Sequence, residues 1–482
     1  MERYFSPFRE NIIGINQTFQ TPYGIKNLVY ADWIASGRLY RPIEDKISND
    51  FGPFIANTHT ESSYSGKYMT DAYHYALNRI KRHVNAGPKD VIITAGFGMT
   101  AVVNKFQRIL GLKTRDMQFA NPNDRPVVFV THMEHHSNQT SWYETVAEVV
   151  VVEPDEDLLV SPESLERALK PYTNRRMKIG SFSACSNVSG VKTPYHKLAA
   201  IMHKAGGYCF VDFAASAPYV DMDMHPENEG EHLDAIFFSP HKFLGGPGSS
   251  GVLVFNSDLY HNRVPDHPGG GTVDWTNPWG EYKFIDDIER REDGGTPGFI
   301  QAIRTSLAIE LKEQMGTQNM LLMEKQLVER AFSHMDSIKG VNVLASNQHD
   351  RIGAISFYID GAHYNLVVKL LSDRFGIQVR GGCVCAGTYG HYLLHVSKEQ
   401  SHHITEMISS GDLSEKPGWI RWSIHPTNTL AEVDYIAEAI DAVSKHHKQW
   451  VEDYRYCKRS NEFFYKGDKL VETVNYDSLF KL

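Results

Sequence analysis

The chain has 482 residues, of which 41% are hydrophobic and 22% charged, a composition typical of a folded globular protein. Forty-nine lysines and arginines against 58 aspartates and glutamates give a formal net charge of −9, which argues against a nucleic-acid-binding protein. Five cysteines are too few, and odd in number, for a disulfide framework. The sequence begins without the apolar stretch of a signal peptide and contains no apolar run of about 20 residues. We therefore expect a cytoplasmic protein that does not span a membrane.

Short apolar runs alternate with amphipathic segments through the first part of the chain. Strands that are apolar on both faces and separated by helices indicate an α/β fold with a mostly parallel sheet covered on both sides. The helical spacing of apolar residues predicts helices over 102–110 and 194–202. The predicted strands of this sheet are 91–94, 126–130, 178–183, 208–212, 235–239 and 251–255.

A second, smaller α/β unit is predicted after a largely helical segment at 298–335. Its predicted elements are strands at 352–357, 377–380 and 419–424, and helices at 366–375 and 430–446. A hairpin of 461–465 with 469–473 is predicted beyond them. We therefore predict a large domain over 1–310, a small domain over 311–455 to which the N-terminal segment contributes, and an extension over 456–482.

Two charged residues follow buried strands, at the edge where α/β sheets bind their ligands. Asp212 ends one strand, and a buried carboxylate is costly unless it meets a positive partner. The alternative to a functional role is a helix cap or a structural ion pair. Lys242 follows the next strand and precedes a glycine-rich loop. A desolvated lysine can form a Schiff base, whereas most lysines at strand ends extend to solvent. Neither residue is decisive alone.

Together, Asp212 and Lys242 fit pyridoxal 5'-phosphate. This cofactor needs a lysine for its aldehyde and a carboxylate that keeps its pyridine nitrogen protonated. It also needs a phosphate site, and the turn around Gly98 lies between a predicted strand and a helix, where backbone N–H groups can receive an anion. Glycine turns are common in loops, so the position of this turn matters more than its glycine content.

The segment His132-Met-Glu-His135-His136-Ser-Asn138 also follows a strand directly. Adjacent histidines suggest a metal site, but neighbours in sequence seldom bind one ion together, and the segment lacks zinc-site spacing. We therefore predict no metal, and we expect an imidazole of this segment to pack on a cofactor ring.

These blocks, in this order, resemble the fold-type I, class V aminotransferases, close to the cysteine desulfurase and selenocysteine lyase group. The resemblance extends from about Asp32 to residue 445 and includes the block Arg380-Gly-Gly-Cys383-Val-Cys385-Ala. It implies the type I fold of pyridoxal-phosphate-dependent transferases, with a seven-stranded sheet in the large domain. The joint match is specific, although each block alone is not.

The resemblance also implies roles for individual residues. Lys242 would hold the cofactor's aldehyde, Asp212 would face the pyridine nitrogen, and His135 would stack on the ring. Arg421 would bind the substrate carboxylate as a bidentate fork, with Arg380 also counted as substrate-binding. Thr296 would reach the phosphate of the partner subunit, which implies a homodimer with a shared active site. The remaining residues expected to contact the cofactor are Gly98, Met99, Thr100, Asn187, Ser239 and His241, and Asn187 could also contact the substrate.

Cys385 aligns with the cysteine that takes sulfur from the substrate as a persulfide. A thiol near Arg380 and a cofactor would be favoured as the thiolate, which is the nucleophilic form. Alternatively, Cys383 and Cys385 are small apolar fillers, a redox pair or half of a metal site. One position departs from the desulfurase pattern, because Ala215 replaces a glutamine that usually bonds the cofactor's ring hydroxyl.

The sequence therefore predicts a pyridoxal-phosphate enzyme acting on a sulfur amino acid, most simply converting L-cysteine to L-alanine with a persulfide on Cys385. A separate protein could then accept the sulfur. A β-lyase, epimerase or aminotransferase of the same fold would not need Cys385, and Ala215 keeps that alternative open. A scaffold that retains only the fold is the third possibility, which the presence of both Lys242 and Asp212 disfavours.

Overall fold

The structure, a computed structural model, describes residues 1–58, 60–114, 119–467 and 474–482. The chain forms two compact units. The first combines Met1–Trp33 with Leu322–Leu482, and the second is Ile34–Leu321. None of the helices in the described ranges is long and apolar enough to cross a membrane.

Helices occur in both units. In chain order they are α1 (Glu2–Glu10), α2 (Arg41–Lys46), α3 (Tyr64–His83), α4 (Met99–Ile109), α5 (His136–Tyr143), α6 (Pro162–Leu169), α7 (Tyr195–Lys204), α8 (Ile288–Arg291), α9 (Phe299–Met315), α10 (Thr317–Met335), α11 (Tyr364–Phe375), α12 (Gly387–Leu393), α13 (Lys398–Ser409), α14 (Leu430–Trp450) and α15 (Tyr476–Leu479).

Strands also occur in both units. In chain order they are β1 (Thr18–Thr21), β2 (Gly24–Asn27), β3 (Val29–Tyr30), β4 (Asp90–Ala95), β5 (Val127–Thr131), β6 (Glu148–Val152), β7 (Lys178–Ser183), β8 (Tyr208–Asp212), β9 (Ala235–Phe238), β10 (Gly251–Asn256), β11 (Val273–Thr276), β12 (Tyr282–Phe284), β13 (Val341–Val343), β14 (Ala354–Ile359), β15 (Ile377–Gln378), β16 (Arg380–Gly382), β17 (Trp419–Ser423), β18 (Tyr454–Cys457) and β19 (Glu462–Tyr465).

A seven-stranded sheet in the order β4-β10-β9-β8-β7-β5-β6 is the core of the unit Ile34–Leu321. Neighbouring strands from β9 to β6 pair in parallel, and β10 runs antiparallel to both β4 and β9. Every residue of β5 and of β7 is buried, as expected for strands covered on both faces. The predicted α/β class with a mostly parallel sheet is confirmed.

Helix α4 shows how the sequence builds this core. Val102, Val103 and Phe106 recur at helical spacing and are fully buried. The Phe106 ring lies 5.0 Å from that of Phe210 in β8 and 4.9 Å from that of Phe255 in β10. These contacts fix α4 on the sheet, and with it the glycine turn that precedes the helix.

The other unit contains a four-stranded antiparallel sheet in the order β13-β14-β17-β16. Helix α14 begins with a capping box, in which the side chains of Thr429 and Glu432 satisfy each other's backbone N–H groups. Arg9 of α1 also binds Glu432 at 2.7 Å. The first residues of the chain are therefore tied to its last long helix.

Some predicted elements differ from the structure. The single strand predicted at 377–380 is divided, because β15 pairs with β3 whereas β16 pairs with β17. The first strand of the predicted terminal hairpin is present as β19, but it pairs with β18. The second predicted strand, 469–473, lies outside the described residues.

Candidate active site

The carboxyl edge of the seven-stranded sheet gathers the polar residues that the sequence singled out in this unit. Strand β8 ends at Asp212, and β9 is followed directly by Ser239. Because β10 is antiparallel, it begins at this same edge, where Gly251 pairs with Ala95, the last residue of β4. A side chain on Gly251 would overlap the carbonyl oxygen of Gly98. The edge therefore requires glycine at this position.

The Asp212 carboxylate is buried at the end of β8 and accepts a hydrogen bond from the Ala214 N–H at 2.8 Å. Burial raises the pKa of Asp212 to about 7, although that hydrogen bond and the charge of Lys242 oppose the rise. A cation placed against this carboxylate would stabilise its ionised form.

Lys242 ends a short turn, Pro240–Lys242, that follows β9. The backbone N–H of Lys242 donates to the Ser239 carbonyl at 3.1 Å. Gly246 packs directly against this turn, since a Cβ there would overlap the Pro240 carbonyl. The glycine-rich loop therefore supports the lysine turn by close backbone packing.

The turn before α4 and the residues before Lys242 form a compact polar group. The backbone N–H of Met99 donates to the Ser239 hydroxyl at 2.8 Å. A Cβ at Gly98 would lie 3.1 Å from the same hydroxyl and 3.5 Å from Nε2 of His241. Burial and the neighbouring charge of Lys242 lower the pKa of His241 to about 4. The group lies at the N-terminus of α4, where the helix dipole favours an anion.

His135 precedes α5 and caps it, because its Nδ1 accepts a hydrogen bond from the Ser137 N–H at 3.1 Å. The adjacent Glu134 is fully buried and binds both ends of this loop. Its carboxylate accepts hydrogen bonds from the hydroxyl of Thr131 at 2.7 Å, the hydroxyl of Ser183 at 2.6 Å and the side-chain amide of Asn138 at 2.7 Å. This carboxylate thus orients the histidine loop.

The remaining predicted residues of this unit are Thr100, Asn187 and Thr296. The hydroxyl oxygens of Thr100 and Ser137 lie 2.6 Å apart, which links α4 to α5. Asn187 is buried in the loop after β7. Thr296 is exposed in the segment before α9.

In the other unit, β16 and β17 bring the two predicted substrate-binding arginines together. Arg380 and Arg421 are directly paired across these antiparallel strands. Asp32 lies against both, with one oxygen 2.7 Å from Nη2 of Arg421 and the other 3.2 Å from Nε of Arg380. The Arg421 side chain is 3% exposed and that of Arg380 is 47% exposed.

Cys383 and Cys385 lie in a tight turn directly after β16. The Ala386 N–H donates to the Cys383 carbonyl at 3.0 Å, and both central residues have positive φ, 40° at Val384 and 61° at Cys385. Such a turn normally takes glycine or asparagine, and a β-branched valine there is strained. Cys385 is exposed, whereas Cys383 is half-buried. The strain is therefore stored beside an accessible thiol.

Three structural contributors were not singled out as site residues from the sequence. Glu134 lies within the histidine block, and three of its five hydrogen bonds are to Thr131 and Asn138 nearby, but the other two are to Ser183, which is distant in sequence. Asp32 follows the short strand β3, a weak signal by itself. Lys312 is buried under the lysine turn, with Nζ 5.7 Å from the Phe243 ring centre, and burial lowers its pKa to about 8.

Comparison with known proteins identifies the family of this chain. The profile of the family "Aminotransferase class-V" matches residues 29–436. A probable cysteine desulfurase of Halalkalibacterium halodurans is 28% identical over 74% of this chain and 84% of its own length. A cysteine desulfurase of Haloferax volcanii is 26% identical over 86% of this chain and 89% of its own length.

Among solved structures, an apo cysteine desulfurase from Thermococcus onnurineus superposes with a TM-score of 0.72 at 22% identity, covering 91% of this chain and 98% of that one. A cysteine desulfurase of Escherichia coli gives a TM-score of 0.70 at 22% identity, covering 92% and 98%. These similarities confirm the predicted type I fold. With the family profile covering most of its length, this chain belongs to the class-V aminotransferase family.

Proposed function

We propose that this enzyme is a pyridoxal-phosphate-dependent cysteine desulfurase, which converts L-cysteine to L-alanine and keeps the sulfur as a persulfide on Cys385. The relatives named above are called cysteine desulfurases, which supports the reaction class. The observation that carries the proposal is the turn at Cys383–Ala386, because it holds an exposed thiol in a strained conformation directly after the strand that bears Arg380.

The carboxyl edge of the seven-stranded sheet has the groups that pyridoxal 5'-phosphate requires. When bound, the cofactor supplies an aldehyde and an electron-withdrawing ring that stabilises negative charge on the substrate's α-carbon. Lys242 would hold the aldehyde, and Asp212 would keep the ring nitrogen protonated. The buried Asp212 carboxylate fits a cationic partner because its pKa, raised to about 7, would fall on pairing. His135 would pack on the ring face.

The phosphate would lie at the N-terminus of α4. Gly98, Met99, Thr100, Ser239 and His241 are the residues proposed to hold it, with Thr296 contributing from the partner subunit of a homodimer. His241 with a pKa lowered to about 4 is neutral at physiological pH and can donate a hydrogen bond without adding charge.

Arg421 and Arg380 would bind the substrate carboxylate, and Asn187 would contact cofactor or substrate.

Lys242, as the free amine, would then take the proton from the substrate's α-carbon. A lysine in this role must be held at a defined place, and the Pro240–Lys242 turn with its supporting glycine provides that rigidity.

We assign the sulfur-transfer step to the exposed thiol of Cys385. The Cys385 thiolate would form a sulfur–sulfur bond with the substrate's sulfur while the substrate's carbon–sulfur bond breaks. The electron pair of that bond stays with the β-carbon, which takes a proton and becomes the methyl group of alanine, and the α-carbon would regain its proton from Lys242. A separate acceptor protein would remove the sulfur from Cys385.

We also propose a cytoplasmic location for the protein. The proposed domains are a large domain over 1–310, a small domain over 311–455 and an extension over 456–482.

The test is alanine formation from L-cysteine by the pyridoxal-phosphate-loaded enzyme. Lys242→Ala and Cys385→Ala are each expected to lower the rate by at least about 100-fold, the usual effect of removing a proton-transfer group or a nucleophile. Cys457→Ala is the matched control, since Cys457 lies in β18, outside the proposed site, and it is expected to retain wild-type activity.

Two outcomes would contradict the proposal. Pyruvate instead of alanine would indicate a β-lyase, the alternative that Ala215 keeps open, because this residue replaces the glutamine usual in desulfurases. An active Cys385→Ala enzyme forming alanine would remove the persulfide step.

A further inference from the structure

The pairing of β16 with β17 creates an electrostatic problem at the arginine pair. Arg380 and Arg421 are opposite each other in the antiparallel register. Like charges directly opposite on neighbouring strands destabilise the pairing. The Arg421 side chain is also almost fully buried, which removes it from solvent screening. The two strands therefore need a nearby negative charge.

Asp32 supplies that negative charge, and the backbone of the preceding residue holds Asp32 in place. The preceding residue, Ala31, accepts a hydrogen bond from the Ser423 N–H at 2.8 Å, which fastens this segment to the end of β17. Asp32 directs one carboxylate oxygen to each arginine, at 2.7 Å from Arg421 and 3.2 Å from Arg380. The carboxylate therefore bridges the two guanidinium groups.

We propose that Asp32 is a specificity-determining residue that makes this site select monocarboxylate amino acids over dicarboxylates. The inference rests on the proposed function, in which Arg421 binds the substrate carboxylate. A carboxylate already shared between the two arginines occupies donors on both and cancels one unit of their positive charge. The substrate's α-carboxylate can still be bound, but a second substrate carboxylate meets Asp32 and is repelled.

Replacement of Asp32 by asparagine replaces the carboxylate between the two arginines with a neutral amide of nearly the same size. Whatever else the two guanidinium groups contact, Asp32→Asn removes one negative charge and keeps the side chain's size. The variant should therefore gain affinity for a second carboxylate, at a cost in stability because the buried Arg421 loses its counter-charge. Two matched ligands test this, because L-aspartate is L-alanine with one additional carboxylate.

The experiment measures the dissociation constants of L-alanine and L-aspartate by calorimetric titration of the pyridoxal-phosphate-loaded enzyme. The ratio of the aspartate constant to the alanine constant is expected to fall at least 10-fold in Asp32→Asn. It should be unchanged in Asp336→Asn, a control at an exposed aspartate of the same unit. Arg380→Gln, at a half-exposed side chain, removes a positive charge and is expected to raise the ratio.

An unchanged ratio in Asp32→Asn, or an equal loss of affinity for both ligands, would overturn the inference. If Asp32→Asn does not fold, the test rests on Arg380→Gln. An unchanged ratio of the aspartate constant to the alanine constant in Arg380→Gln would also overturn the inference. Failure of the proposed function is seen separately, in Arg421→Ala. If that variant binds L-alanine as tightly as the wild type, the carboxylate does not bind at Arg421.

Discussion

Glu134 shows how one residue can organise a site without taking part in the chemistry. It is a fully buried carboxylate with five hydrogen bonds, and burial still raises its pKa above the usual range. Its partners belong to β5, α5 and β7, so it joins three elements around His135. We regard it as a positioning residue for the histidine loop.

We predict that Glu134→Ala lowers the free energy of unfolding by about 3 kcal/mol, because several buried donors lose their acceptor at once. Chemical denaturation monitored by circular dichroism measures the change. Glu144→Ala is the matched control, at an exposed glutamate that follows the same helix, and it should change stability by less than about 0.5 kcal/mol. Equal effects of the two substitutions would refute the positioning role.

At the scale of an element, the turn at Cys383–Ala386 is the least relaxed part of the candidate site. Val384 has a φ of 40°, a conformation that costs a β-branched residue about 1–3 kcal/mol. Glycine adopts this conformation without that cost. The valine therefore restricts the turn at the expense of stability.

We predict that Val384→Gly slows alanine formation because Cys385 is held less rigidly. The free energy of unfolding should change by less than about 1 kcal/mol, because relief of the positive φ is offset by loss of the buried valine side chain. Val264→Gly, at an exposed valine that is not among the residues of positive φ, is the control and should leave the rate of alanine formation unchanged. A Val384→Gly enzyme with normal activity would show that the strain has no function.

Sequence reasoning found most elements that have a local signal and missed features that depend on pairing. Six strands of the large sheet were predicted from apolar runs, and Asp212 and Lys242 were singled out from their places at or after such runs. Strand β6 was missed, although its four valines form such a run. The antiparallel direction of β10 depends on its partners, and no local pattern encodes it. Asp32 was missed for the same reason, since its partners Arg380 and Arg421 are distant in sequence. Helix α3 did carry a readable helical spacing of buried residues, at Met69, Tyr73, Ala76 and Ile80, which the prediction did not use.

At the scale of the whole molecule, we expect a homodimer. Several aromatic side chains of the unit Ile34–Leu321 are largely exposed, with Phe97 82% and Trp279 83% accessible. Aromatic residues are enriched in protein–protein interfaces. Thr296, proposed to act in the partner subunit, belongs to the same unit.

We predict that sedimentation equilibrium gives twice the mass of one chain, and that Trp279→Ser with Phe97→Ser increases the dimer dissociation constant at least 10-fold, because large aromatic groups dominate interface energetics. Ile25→Ser is the control, at a residue that is 71% exposed in the other unit. A monomeric wild-type protein would contradict both the dimer and the role of Thr296.

The division of the chain has a consequence for its biosynthesis. One unit is continuous, from Ile34 to Leu321, whereas the other joins the first 33 residues to the segment that begins at Leu322. Domains generally fold as units while the ribosome is still working. The continuous unit can therefore fold first. The pairing of β3 with β15 and the ion pair of Asp32 with Arg421 can form only after the C-terminal part of the chain has been synthesised. Truncation at either terminus should damage the same unit, the one that carries both arginines.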